Sequence, residues 1–149
     1  NTGPYLLFPK GSISDITFVL GVLSSIPLDW WARRFVETHI NFFILNFFPI
    51  SRPDRKNLMR QRVVELAGRL ACTDDRYADW AKELSMGYGS LNPEEKKNMI
   101  RELDAVVAHL YELSEGQLVH IFETFHEGWE FESELEATLV HYKNWSKKL

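Results

Sequence analysis

Arginine is the residue whose placement in this chain most directly suggests chemistry. Arg33 and Arg34 are adjacent, and Arg52, Arg55, Lys56, Arg60 and Arg62 crowd one short stretch, with Arg69 following. On a helix, the seven-residue steps from Arg55 to Arg62 to Arg69 are about 10.5 Å each along one flank. Guanidinium groups so placed can follow a phosphate backbone, positioning a protein on duplex DNA without reading its bases. The plainer alternative is a solvated face, with Glu65 and Arg69 as an i, i+4 pair. Trp30, Trp31, Phe42, Phe43, Phe47 and Phe48 offer stacking faces, although aromatics inside apolar runs more often belong to a core. His39 and Asn41 carry edges able to contact a base, or equally to make a hydrogen bond at the entry to a strand.

Reactive constellations are missing from the sequence. Gly87-Tyr88-Gly89 lacks the third glycine of a dinucleotide loop, and no Gly-Lys-Ser/Thr is present to cradle phosphates. A single cysteine, Cys72, can form neither an internal disulfide nor a paired-cysteine metal site. The five histidines never recur at i, i+4, so a zinc site built from them is not expected. His126 is read as compensating a helix C-terminus. Pro53-Asp54 and Glu94-x-Lys96 share the letters of a nuclease site. That chemistry needs two carboxylates and a lysine converging on one metal, whereas Glu94 and Lys96 open a helix where acid is expected anyway. No residue set for catalysis emerges, and no metal.

The elements that must carry these residues are mainly helical. Pro4, Pro9 and Gly11 mark an extended lead-in. Ser14 or Asp15 caps a short helix through Ser24, and Pro27 opens a second over Leu28–Thr38. Ile40 to Leu45, β-branched and aromatic and closed by Pro49, predicts a short β segment near 40–46. A helix then runs from about Pro53 to Ala71, with Met59, Val63, Leu66, Ala67 and Leu70 as its apolar stripe. Thr73 caps a shorter helix to Leu84 that buries Tyr77, Trp80 and Ala81. After a break at 85–91, Asn92, Pro93 and Glu95 open a long helix to Tyr111 with the stripe Met99, Leu103, Val106, Val107 and Leu110. Ser114 with Gln117, and Ser133 with Glu136, make capping boxes for two more. The fold class is therefore mainly α: a helical bundle of about five helices after residue 53, preceded by two short helices and the β segment.

Composition bounds the rest. The chain has 149 residues, 45% hydrophobic and 26% charged, a globular balance that excludes wholesale disorder. Its longest uncharged runs, 16–28 and 40–50, are too short to cross a bilayer. No signal-peptide order of charged then apolar residues opens it, so a cytoplasmic location is expected. Asn1 in place of Met suggests a portion of something longer. The net charge of −4 hides an asymmetry: residues 1–62 hold eight basic and four acidic groups, residues 63–149 nine basic and 17 acidic. Between Glu112 and Glu136 lie eight glutamates and no lysine or arginine. One half facing a polyanion and the other facing protein would give this pattern.

Three stretches resemble a known family. Pro27-Leu28-Asp29-Trp30-Trp31-Ala32-Arg33-Arg34, then Thr38-His39-Ile40-Asn41-Phe42-Phe43-Ile44-Leu45, then Phe48-Pro49-Ile50-Ser51-Arg52-Pro53 follow one another in order. Together they resemble the end of the target-recognition region in large adenine-specific DNA methyltransferases of restriction–modification and related phage-defence systems. Glu102 to Ser114 is similar to a helix and "Y-G-L-S/T" turn near the end of those proteins, with Glu112 where glycine is usual, and Ile121-Phe122-Glu123-Thr124-Phe125 to their terminal "I-L-D-T-F". The likeness spans about residues 14–125. It implies residues 1–53 as the end of a target-recognition-like region and 54–149 as a C-terminal helical domain. It further implies a parent enzyme using S-adenosylmethionine for N6-adenine methylation, with or without a nuclease. The family's Asn/Asp-Pro-Pro-Tyr/Phe motif is not in this chain, so this portion would be non-catalytic and hold no cofactor itself. Its expected partners are double-stranded DNA and the parent's remaining domains, with no membrane. The expected DNA contacts are Arg33, Arg34, His39, Asn41, Arg52, Arg55, Lys56, Arg60, Arg62 and Arg69. The alternative is a helical structural or protein-interaction module without DNA contact of its own.

Overall fold

The structure, a computed structural model, describes residues 6–36, 40 and 42–149. It is mainly α, with no strand among the described residues. The helices are α1 (Ile13–Leu23), α2 (Ile26–Ala32), α3 (Phe42–Leu45), α4 (Leu58–Ala71), α5 (Ala78–Glu83), α6 (Pro93–Leu110), α7 (Glu115–Glu123) and α8 (Glu132–Ser146); a 3-10 turn at Asp75–Tyr77 leads into α5. No single described helix is long and apolar enough to cross a membrane.

Packing follows the predicted stripes. α6 lies between α4 and α8, and α4 in turn packs on α1. Val63 and Leu66 of α4 meet Leu103, Val106 and Val107 of α6, with Phe18 and Val22 of α1, Leu28 of α2 and Trp145 of α8 completing one cluster. This core therefore combines side chains from before and after residue 53. A second cluster joins Ala108 to Leu118 and Phe122 of α7, packed against Leu135, Leu139 and Tyr142 of α8. Gly21 permits the α1–α4 contact: a Cβ there would meet Val63 Cγ1 at 2.6 Å and Ala67 Cβ at 3.0 Å.

Caps decide most of the boundaries. Ser12, two residues earlier than expected, caps α1 in a full capping box with Asp15. Asn92 accepts from the Glu95 amide at 2.8 Å and Pro93 opens α6 as expected. Ser114 and Gln117 form the predicted capping box of α7. α2 has no cap of its own, because the Ser25 hydroxyl donates back to the Val22 carbonyl. Asp104, buried on α6, accepts from the Ile26 amide at 2.8 Å instead.

Four expectations are corrected. The β segment is, over Phe42–Leu45, one turn of helix. β-branched and aromatic residues favour a pleated surface only when a neighbouring strand takes up their backbone groups. Here the following amides bond locally, Phe47 to the Ile44 carbonyl and Phe48 to that of Leu45. α4 begins at Leu58, since Asn57 caps it and Asp54 holds a turn before it through the Lys56 and Asn57 amides. α8 begins at Glu132 without a side-chain cap, so Ser133 lies within its first turn. Asp74 rather than Thr73 caps the turn before α5, and Tyr77 is exposed there.

The end of α6 is fixed by backbone bonds. The Glu112 amide donates to the His109 carbonyl and the Leu113 amide to that of Ala108, the paired bonds of a Schellman stop. That stop needs a left-handed residue, and Glu112 adopts φ 54°.

Candidate functional site

Of the ten residues expected to face DNA, the eight that are described divide among separate partners and elements. Arg55 precedes α4, so the flank proposed for Arg55, Arg62 and Arg69 is not a helical stripe. Arg62 pairs bidentately with Glu102 of α6, at 2.9 and 2.6 Å, and also reaches Glu65 at 2.7 Å. Glu102 accepts the Trp145 indole N–H at 3.1 Å as well, which ties α4, α6 and α8 together. Burial opposes the charge on Glu102, but the Arg62 and Trp145 donors outweigh it and hold the carboxyl below the ordinary range. Arg69 donates to the Gly89 carbonyl at 2.7 Å and closes the loop after α5.

Arg33 and Arg34 bind the end of α2 to the end of α7. Arg33 pairs with Asp29 at 3.1 Å and its guanidinium lies 4.3 Å from the centre of the Phe125 ring. Arg34 donates to the Thr124 carbonyl at 3.2 Å and covers the Trp30 ring, whose indole N–H reaches the Thr124 hydroxyl at 2.9 Å. Cation–π contacts of this kind are worth about 0.5–1 kcal/mol at exposed sites. His39 and Asn41 lie outside the described residues.

Two of the remaining cations, Arg55 and Arg60, meet at Asp15. Its carboxylate accepts Arg55 at 2.7 Å and Arg60 at 2.6 Å. The Ser12 backbone and hydroxyl donors, then the two guanidinium charges, hold Asp15 below the usual carboxylate range. Arg60 is only 7% exposed and its guanidinium lies over the Phe18 ring at 4.5 Å. Burying it is favourable only while Asp15 neutralises it. Arg52 and Lys56 are exposed and make no ion pair among the described residues.

These residues rim an open groove of about 730 Å³. Its walls are apolar, among them Phe8, Val19, Leu23, Leu45 and Ile50, and Arg52, Asp54, Arg55 and Arg60 stand at its edge. Across the segment 42–48 lies a second concavity of about 390 Å³, made by Trp31, Phe35, Phe43, Ile44 and Phe47. Phe43 is 73% exposed, Phe47 63% and Phe35 57%. Phe43 and Phe47 meet edge to face at 5.0 Å, as do Trp31 and Phe48 at 5.6 Å. The motif-bearing aromatics thus divide: Trp31 and Phe48 are half-buried, while Phe43 and Phe47 face outward. A sequence shows that such residues are apolar, but not which of them the core has room for.

No described group of three or more His, Cys, Asp or Glu side chains can hold a metal ion. Glu94 is exposed on the first turn of α6 and pairs with Lys97 at 3.7 Å, away from any convergent carboxylate pair. His126 lies beyond the end of α7 and its Nδ1 is 2.6 Å from the Glu127 carbonyl. The ion pairs of Asp15 and Glu102 escaped sequence reasoning because their arginine partners lie 40 or more positions away along the chain. Comparison of the chain with protein families, with characterised proteins and with solved structures gave no match.

Proposed function

We propose that this chain is the non-catalytic helical end of an adenine-specific DNA methyltransferase of a restriction–modification or related phage-defence system, acting as scaffold and docking surface. The supporting observation is the aromatic face. Phe43, within the stretches that carry the family likeness, and Phe35 and Phe47, which lie between those stretches, are more than half exposed around one concavity. Apolar area of this kind on a soluble surface marks a place that another surface covers. The helices 54–149 act as a bundle that holds this face rigid, and S-adenosylmethionine is bound by the parent's other domains.

DNA contact in this reading is peripheral. It uses Arg52, Lys56 and the exposed Arg55, because Arg60, Arg62 and Arg69 are engaged internally. That same engagement favours the second reading, a protein-interaction module that leaves DNA to the rest of the enzyme.

The test is methyl transfer from tritiated S-adenosylmethionine to duplex DNA by the full polypeptide carrying Phe43→Asp with Phe47→Asp. Both side chains are exposed, so the helices fold unchanged; the expected result is soluble protein with at least tenfold lower transfer. Wild-type transfer by the double variant, or no methylation by the full polypeptide itself, contradicts the proposal.

A further inference from the structure

The groove beside Asp15 adjoins the aromatic concavity but is lined by different residues, and it is not explained by scaffolding alone. Its walls present almost nothing but carbon: Phe8, Phe18 and Phe48 with the aliphatic Val19, Leu23 and Ile50. Its neutral polar side chains are Asn46 and Ser51, and its charged ones, Asp15, Arg52, Asp54, Arg55 and Arg60, stand along one edge, so the apolar walls themselves offer few partners to the donors and acceptors of a nucleobase. An extended peptide meets the same difficulty, since no strand edge is present among the described residues to take its backbone groups. A helix brings its backbone bonds already made and presents side chains only.

The rim supplies the sign of the charge. Asp15 is shared by Arg55 and Arg60, and the Asp54 carboxylate accepts the Lys56 amide. Three cations therefore face two carboxylates along the lining, and Arg52 has no carboxylate of its own among the described residues. Lys56 adds a further exposed positive charge next to Arg55. An occupant carrying acid along one flank is complementary to this edge.

The extent of the apolar surface argues for a protein rather than a small molecule. Leu6, 43% exposed, extends the groove at one end, with Leu7 beside it 76% exposed. At the other end Phe48 touches Trp31, which belongs to the aromatic concavity. A drug-sized ligand covers a single pocket, whereas this surface continues from one concavity into the next.

We infer that the groove between α1 and the loop 45–55 receives an amphipathic helix of a partner domain, with leucine-like side chains on the walls and glutamate or aspartate against Arg52 and Arg55. This inference deepens the docking role proposed above and rests on it, but it concerns a different concavity and different residues.

The probe is a fluorescein-labelled helical peptide of about 14 residues, roughly 21 Å long, with leucines at i, i+3, i+4 and i+7 and glutamates on the flanks. A second peptide has lysines in place of the glutamates, and phosphatidylserine vesicles form a third arm. Anisotropy is expected to show the acidic peptide binding at least tenfold more tightly than the basic one. Arg52→Glu, which has no ion pair to lose, should reverse that preference, and Phe8→Asp should weaken both peptides. Phe43→Asp should leave peptide binding unchanged, so failure here and failure of the methyl-transfer test are separable. Equal binding of the two peptides, binding indifferent to Arg52→Glu and Phe8→Asp, or association with vesicles but with neither peptide would overturn the inference.

Discussion

Asp15 shows at the scale of single residues why a basic cluster in sequence is not a basic patch in space. It sits on the first turn of α1, closes that helix's capping box, and neutralises Arg55 and Arg60 from 40 and 45 positions away. The two arginines differ in burial, and the difference fixes their energetic weight. Arg55 has a side chain 72% exposed, where an ion pair contributes about 0–1 kcal/mol, whereas that of Arg60 is 8% exposed and depends on its partner. Removing one member of a buried pair typically costs about 3–5 kcal/mol, so Asp15→Ala should lower stability in urea by a few kcal/mol. Arg55→Ala should change it by less than about 1 kcal/mol. A comparable loss from both variants would show that Arg60 is not held as described. The pair also fixes a direction with pH. Because the folded-state Asp15 titrates below its unfolded value, its contribution is present above the ordinary carboxylate range and is lost as pH falls through the lowered value.

Elements were legible in the sequence where a local signal specifies them. The stripe from Met59 to Leu70, the Asn92–Pro93 start and the Ser114–Gln117 box rest on contacts within a few residues, and they stand in the structure as expected. The segment 42–45 was misread because strand propensity records half-buried pleated surfaces, and what surrounds these residues is a property of the whole fold. Asp104 was invisible for a related reason. It caps α2 from 78 positions away, and nothing near it in sequence marks it as a cap. Burial pushes its carboxyl up to about 7, against the opposing Ile26 amide bond. With the folded value above the unfolded one, its stabilising contribution is complete at the unfolded pKa and below. It is lost as pH rises through the folded value, near 7. Asp104→Asn keeps an acceptor for the Ile26 amide without the titration. Its unfolding free energy should therefore fall less than wild type's between pH 4.5 and 8, and an unchanged difference would contradict the burial account. The stop of α6 offers a second check. Glycine at position 112 removes the left-handed penalty at φ 54°, so Glu112→Gly should raise stability by about 1 kcal/mol in thermal or urea unfolding. A loss would mean that the Glu112 side chain matters more than its backbone.

At the scale of the whole molecule, part of the uneven charge of the two sequence halves is taken up by packing between them and within them. Arg62 of α4 meets Glu102 of α6, Arg101 meets Glu134 of α8, and Lys143 of α8 reaches back to Glu115 of α7. Among what stays outward are a short cationic rim at 52–56 and an aromatic face, arranged over a helical core that spans residue 53. The division of labour proposed here follows from that remainder: helices for rigidity, aromatics for docking, and few charges for nucleic acid. Counting phosphate contacts tests it most directly. The logarithm of duplex affinity falls against the logarithm of salt with a slope of about −0.9 per phosphate neutralised, so the slope reads the number of cations engaged. For a short labelled duplex titrated by fluorescence anisotropy, contact through Arg52, Arg55 and Lys56 alone predicts weak binding with a slope of about −2 to −3. A slope of about −6 or steeper would require Arg33, Arg60 and Arg62, now paired with Asp29, Asp15 and Glu102, to turn toward DNA as well, and would contradict the account.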